Sequence, residues 1–305
     1  MSKRQISISI DGLQAVLGDR EALRIAKEAG ADAVDFDLCG AQWDYRKADS
    51  VYSRSDEEIT AYFTDLKAYA ESLGLVIGQT HGRITGITDD EEFNEAFYEN
   101  ARRDCLATAA LGAPVCIIHS VTTMRMGADA DPDLMRDMNF TMFTRILPYA
   151  KRYGVKLATE TFGDAAGLGV VDFFGQYNEF VKSYQRVRAV EDYKDYFTIC
   201  MDTGHCNKAT RFGQPSAAEI IRMLGTEITA LHLNDNDTFT DQHKMPLSGS
   251  MDWNDIFDAL DEVGYSGIYN MELNLAFYGR KLAPDYAAFA VKVLRHFLDE
   301  RYGKE

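Results

Sequence analysis

Residues 198–235 read TICMDTGHCNKATRFGQPSAAEIIRMLGTEITALHLND. Two apolar runs, TICMDTGH (198–205) and ITALHLND (228–235), each pass into polar residues, and 216–224 between them has helical spacing and stops before Gly225. The segment is a strand, helix, strand unit. Six more runs of the same kind flank it: ISISID (6–11), AVDFDL (33–38), LVIGQTH (75–81), VCIIHS (115–120), VKLATE (155–160) and IYNMELN (268–274). Helix-like stretches at 20–29, 56–73, 91–111, 133–153, 172–189 and 252–263 fill most of the intervals. Gly30, Gly74, Gly112, Gly154, Gly225 and Gly264 each follow a helical stretch, where a left-handed cap turns the chain toward the next strand. Strand and helix alternating eight times predict an α/β chain folded as a (β/α)8 TIM barrel, a single domain over 1–305 with a closing helix at 284–302. An open, doubly wound sheet is the rival, since the same local pattern builds both.

The 305 residues hold 32 Lys+Arg and 48 Asp+Glu, a formal charge of −16, without a visible basic cluster. Such a balance opposes nucleic-acid binding, which draws on cations that displace counterions from phosphates. No stretch approaches the roughly 20 apolar residues that span a bilayer, and the N-terminus reaches Asp11 before an apolar leader could form. Five cysteines without a CxxC pair fit reduced thiols in a cytoplasmic protein. An apolar helix face can pack internally or against a second copy, so homo-oligomerisation stays open.

Four of the six histidines, His81, His119, His205 and His232, fall at the ends of predicted strands 3, 4, 6 and 7. In a barrel these ends converge on one face. Glu160, Asp202 and Glu272 share them, and Asp235 follows strand 7. Carboxylates among apolar residues are costly to bury singly, and a divalent cation is a partner that several can share. Glu160, Asp202, His232 and Glu272 therefore form an expected oxygen-rich metal shell. That donor set suits Mn²⁺ or Zn²⁺, with Mg²⁺ or Co²⁺ also accommodated. In MDTGHCNKA (201–209), Gly204 is read as permitting a turn that lets Asp202 and His205 both look into the mouth. Asp241 and His243, one residue apart, project to the same side if locally extended.

On ETF (160–162), MDTGH (201–205), LHLNDND (231–237), DQH (241–243) and MEL (271–273), the chain resembles the sugar phosphate isomerase/epimerase group of the xylose isomerase-like barrels, a group also similar to the apurinic endonuclease IV family. The resemblance implies one metal on Glu160, Asp202, His232 and Glu272, with the two glutamates as the acid/base pair. Through the endonuclease it further implies that His81, His119, His205, Asp241 and His243 hold additional metal or touch substrate. An Arg that the epimerases commonly place after the HxNDND run is replaced here by Thr238-Phe239-Thr240.

The expected activity is that of a divalent-metal-dependent isomerase or epimerase of a small sugar, with proton abstraction beside a carbonyl to give a metal-stabilised enediolate. Arg83 and His205 are placed to hold substrate oxygens, with a surface salt bridge the equal alternative for Arg83, and Trp43, Phe162, Trp253 and Phe277 are candidates to wall the sugar ring, core packing being the default for each. No glycine-rich phosphate cradle is present. The competing readings are a multi-zinc hydrolase, a lyase acting on keto-sugar conjugates, and a barrel that binds without turnover.

Overall fold

Eight parallel strands form the inner wall of the chain in a computed structural model that describes residues 4–303. They are β1 (Ile6–Ser9), β2 (Ala33–Asp37), β3 (Val76–His81), β4 (Val115–Ile117), β5 (Lys156–Glu160), β6 (Phe197–Asp202), β7 (Ile228–His232) and β8 (Tyr269–Met271). Each pairs with its successor up to β7, and β8 pairs with β1, placing Ile6 opposite Tyr269. The seam between β7 and β8 is narrower, a single bridge from Leu233 to Met271 in which the Leu233 N–H donates to the Asn270 carbonyl at 2.8 Å. This cyclic order is a TIM barrel and excludes the doubly wound sheet.

Helices Asp56–Ser72, Glu91–Leu111, Pro132–Tyr153, Tyr177–Arg188, Ala217–Leu224 and Trp253–Glu262 lie between strands, and Ala283–Tyr302 closes the ring. Two of them open on capping boxes, Ser55 with Glu58 and Ser216 with Glu219, each hydroxyl cap worth about 1 kcal/mol. The six glycines expected to turn the chain all have φ between 58° and 90°.

Alternation along the strands sorts the interior. Ile6, Ile8, Val34 and Phe36 join the large core shared with the helices, while Ser7, Ser9, Asp35 and Asp37 alternate with them. A separate small cluster, Val115, Ile117, Ala158, Cys200 and Ala230, packs within the barrel. Ala158, Cys200 and Ala230 each precede a candidate ligand (Glu160, Asp202, His232) by two residues and so share its face. Small side chains thus floor the layer above. The register slips at Val34/Asp35 against Ile77/Gln79 and at Ile199/Cys200 against Ile228/Ala230, leaving Gly78 and Thr229 as extra residues. Both bulges lie in strands that end in a site histidine, His81 and His232, where such a kink re-aims the side chains beyond it.

The structure corrects several local expectations. The run 198–205 is strand only to Asp202, and Thr203–Ala209 is a helix that Asp202 caps by accepting the His205 N–H at 2.6 Å. Gly204 therefore sits in a helix and does not bend a turn. It is glycine because a Cβ there would lie 1.8 Å from Asn234 Oδ1. The runs 115–120 and 268–274 shorten to Val115–Ile117 and Tyr269–Met271. The helical stretch 172–189 divides into a 3₁₀ turn at Phe173–Gly175 and a helix from Tyr177. A helix at Asp11–Leu17 and a hairpin pairing Asp164–Ala165 with Val170–Val171 have no counterpart in the sequence reading.

Candidate metal centre

Glu160 closes β5 and is fully buried, yet neither of its carboxylate oxygens makes a hydrogen bond among the described residues. His232 Nδ1 and Glu272 Oε2 are buried and unbonded in the same way. These atoms face one another, His232 Nδ1 lying 3.3 Å from Glu160 Oε2, 3.4 Å from Glu272 Oε2 and 3.9 Å from Asp202 Oδ2. One donor atom from each of Glu160, Asp202, His232 and Glu272 falls within 4.8 Å of all the others. Three carboxylates gathered this closely repel, and unbonded buried polar atoms are expensive. A shared divalent cation relieves both, so the four residues fit one.

The other ring nitrogen fixes His232. Its Nε2 lies 3.1 Å from Asp35 Oδ2, and that oxygen also accepts from Gln79 at 2.9 Å, Ser9 at 3.2 Å and Asn270 at 3.2 Å. A carboxylate on Nε2–H holds the proton there and turns Nδ1 toward the centre, where its lone pair would be available to a cation.

The run after β7 braces the rest. Asn234 donates to Asp202 Oδ2 at 3.0 Å, and Asn236 donates to the Gly204 carbonyl at 2.8 Å while accepting from Asn207 at 2.8 Å. Asp235 accepts from Trp253 Nε1 at 2.7 Å and from the Gly249 and Ser250 amides, pinning the loop that carries Asp241 and His243.

All five further expected residues converge on this centre. His81 and His119 join Glu160 in a second group of donors, their Nε2 atoms 3.2 Å apart, and His205, Asp241 and His243 form a third. Asp241 Oδ2 lies 3.4 Å from His205 Nε2 and 3.5 Å from His243 Nε2. Burial pushes the Glu160 carboxyl up, but His232, His119 and His205 outweigh it and hold it well below the ordinary carboxylate range. At Glu272 burial prevails and the carboxyl is pushed up to about 7. Burial lowers His243 less than Glu272 and Asp241 raise it, leaving it at about 9.

The expected substrate-contacting residues divide. Phe162 is placed at the centre, edge-on to His119 at 4.8 Å and stacked on His205 at 5.0 Å. Arg83 is not free to hold substrate: it donates to Asp104 Oδ2 and Oδ1 at 2.8 and 3.1 Å and to the Trp43 carbonyl at 3.0 Å, an internal ion pair against helix Glu91–Leu111. Trp43 is buried against Phe36, Tyr52 and Phe63 as core, Trp253 is spent on Asp235, and Phe277 lies at the surface. Asp11, Asp35, Asp37 and Cys39 line the same cavity of about 250 Å³ as His81, Glu160 and Glu272, and none was expected. For Asp35 a signal existed, a carboxylate between Val34 and Phe36 in an apolar strand.

A barrel with clustered carboxylates and imidazoles on its strand ends defines the class of fold. Residues 23–294 match the xylose isomerase-like TIM barrel family, and the chain belongs to it. An uncharacterised protein of Sinorhizobium fredii is 25% identical over 165 residues, 54% of this chain and 48% of the relative, so the chain spans about half the length of that curated relative. Among solved structures, a D-tagatose 3-epimerase-like protein superposes with a TM-score of 0.72 at 19% identity, covering 97% of each chain. The IOLI protein with a bound zinc atom gives 0.73 at 15%, covering 98% of this chain and 100% of its own. These likenesses are of fold. Among the described residues no helix is long and apolar enough to cross a membrane, and all five cysteines are unpaired.

Proposed function

We propose that the chain is a divalent-metal-dependent sugar isomerase or epimerase. The observation that carries this reading is the convergence of Glu160, Asp202, His232 and Glu272, with buried unbonded atoms on Glu160, His232 and Glu272, on one point beside an open-mouthed cavity. The family, an epimerase-like neighbour and a zinc-binding one support it. A divalent ion held there supplies the Lewis acidity that makes a C–H next to a carbonyl acidic.

The chain's own residues do the remainder. Glu160 at the end of β5 and Glu272 just after β8 stand three strands apart in a ring of eight, so their carboxylates reach the cavity from nearly opposite walls. One takes the proton from a sugar carbon; the other returns one to the opposite face, or to the neighbouring carbon. Asp35 and Asn234 orient His232 and Asp202, and Phe162 excludes water beside His119 and His205. The substrate is a small neutral sugar, since −16 of net charge opposes a nucleic acid.

Incubation of the purified chain with ketoses and inososes in heavy water, with metal content measured on the same sample, tests the proposal. Solvent deuterium enters the carbon beside the carbonyl, and Glu160→Gln and Glu272→Gln each lower the rate by about 10²–10⁴-fold while keeping the fold. Undiminished exchange in both variants refutes it. A second reading, a multi-zinc hydrolase, is favoured by the two additional donor groups around His119 and His243. More than one tightly held zinc together with phosphodiester cleavage would select it.

A further inference from the structure

Three non-glycine residues among those described have positive φ, Thr238 (71°), His243 (42°) and Leu247 (71°), and all lie in the loop after β7. Side chains in this region strain the backbone by roughly 1–3 kcal/mol each and persist where surroundings hold them. His243 is held by the centre. Leu247 is 48% exposed, in a stretch held on either side by the Met245 amide on Tyr286 and the Gly249 amide on Asp235.

Leu247 faces a groove of about 280 Å³ along the closing helix, walled by Phe289, Val293 and Phe297, with Lys292, His296 and Glu300 at its rim. The helix already buries Tyr286, Ala290, Leu294 and Leu298 against the barrel. Phe289, 54% exposed, and its neighbours therefore form a second apolar face.

We propose that this groove is an interface with a second copy of the chain, the two closing helices packing antiparallel about a two-fold axis near His296. Charge complementarity selects this occupant. Lys292 and Glu300 stand four residues to either side of His296, so the two-fold brings Lys292 toward Glu300 of the partner subunit, and the pair occurs twice. Neither has an ion-pair partner within the chain among the described residues. The rim balances one acid, Glu300, with one base, Lys292, in a chain of net −16, which reduces the repulsion two copies would otherwise feel there. Docking would cover Leu247, four residues beyond His243, and so brace the loop that carries a third of the donor groups.

Sedimentation equilibrium of the full chain tests the interface, with thermal melts separating dissociation from unfolding. The wild type is expected to be dimeric, and Phe289→Glu monomeric at micromolar concentration with its melting temperature retained. Lys292→Glu should weaken association about tenfold, since two-fold symmetry counts each lost surface pair twice. The double variant Lys292→Glu/Glu300→Lys should recover to within about threefold of wild type. A monomeric wild type, a dimer indifferent to Phe289→Glu, or a double variant no better than the single would each overturn the proposal.

Discussion

Replacing Asp35 with Asn isolates one link in the centre, the carboxylate that orients His232 without facing the metal position. The swap is nearly isosteric. With the amide oxygen in the place of Oδ2, the hydrogen bonds from His232, Gln79, Ser9 and Asn270 keep an acceptor. The amide nitrogen then takes the place of Oδ1, which has no hydrogen-bond partner, so the swap removes the charge and leaves a buried N–H donor unpaired at that position. A charge-assisted hydrogen bond is roughly twice as strong as a neutral one, and loss of such an outer partner typically lowers metal affinity about 10–100-fold, or about 1.4–2.8 kcal/mol.

Competition against a chelator of known affinity, on wild type and variant at equal pH, reads the change directly. Asp37→Asn is the control: Asp37 lies two residues along the same strand and lines the same cavity, but its oxygens accept from the Cys39 and Gly40 amides at 2.9 and 3.2 Å and not from a ligand. Its affinity should stay within about threefold of wild type. Equal affinity in Asp35→Asn and wild type would refute the orienting role. An equal loss in both variants would reduce it to a general effect of cavity charge.

Neighbouring geometry gives further expected outcomes. Gly204→Ala puts a Cβ 1.8 Å from Asn234 Oδ1, so a thermal melt should show about 1–3 kcal/mol of destabilisation, accompanied by weaker metal binding through Asp202; an unchanged melt would show that the contact relaxes freely. Arg83→Met strands the buried Asp104 carboxyl and should cost about 3–5 kcal/mol in denaturant titration while leaving KM unchanged, whereas a raised KM at preserved stability would restore Arg83 to the substrate. Burial raises Asp172 from 3.8 to about 6. The folded chain therefore holds this proton more tightly than the unfolded one, and the associated stability is present below about pH 4 and lost as pH rises to about 6, by roughly 3 kcal/mol. The melting temperature of the wild type relative to Asp172→Asn should fall across that window, and parallel curves would show that the group does not control it.

The fold was readable because each strand is a short apolar run and six connections end in glycine, signals that are local. Seven of the nine candidate donor residues were readable for a related reason, a charged or imidazole side chain near a strand end standing out against apolar neighbours, whereas Asp241 and His243 came from their spacing and the family resemblance. The features that escaped are held by tertiary contacts. The helix Thr203–Ala209 is capped by Asp202 and braced by Asn234 on that cap and Asn236 on the Gly204 carbonyl, contacts from the loop after β7 that MDTGHCNKA alone does not reveal. Arg83 looked available because its partner Asp104 lies 21 residues on, in a helix whose facing side the sequence alone did not reveal. Asp35 carried the same signal as Glu160, a carboxylate in an apolar strand, and Asp37 repeated it two residues on, yet neither was read as part of the site.

Asp202 ends β6, caps the next helix with one oxygen and presents the other to the centre. These duties share one side chain, so a cation held at the centre would be thermodynamically linked to local folding. Binding that favours this position of Asp202 would also favour the first turn of Thr203–Ala209, whose His205 belongs to the outer donor group. The exchange rate of the His205 amide proton would then gauge chelation, and assembly of the centre would be cooperative.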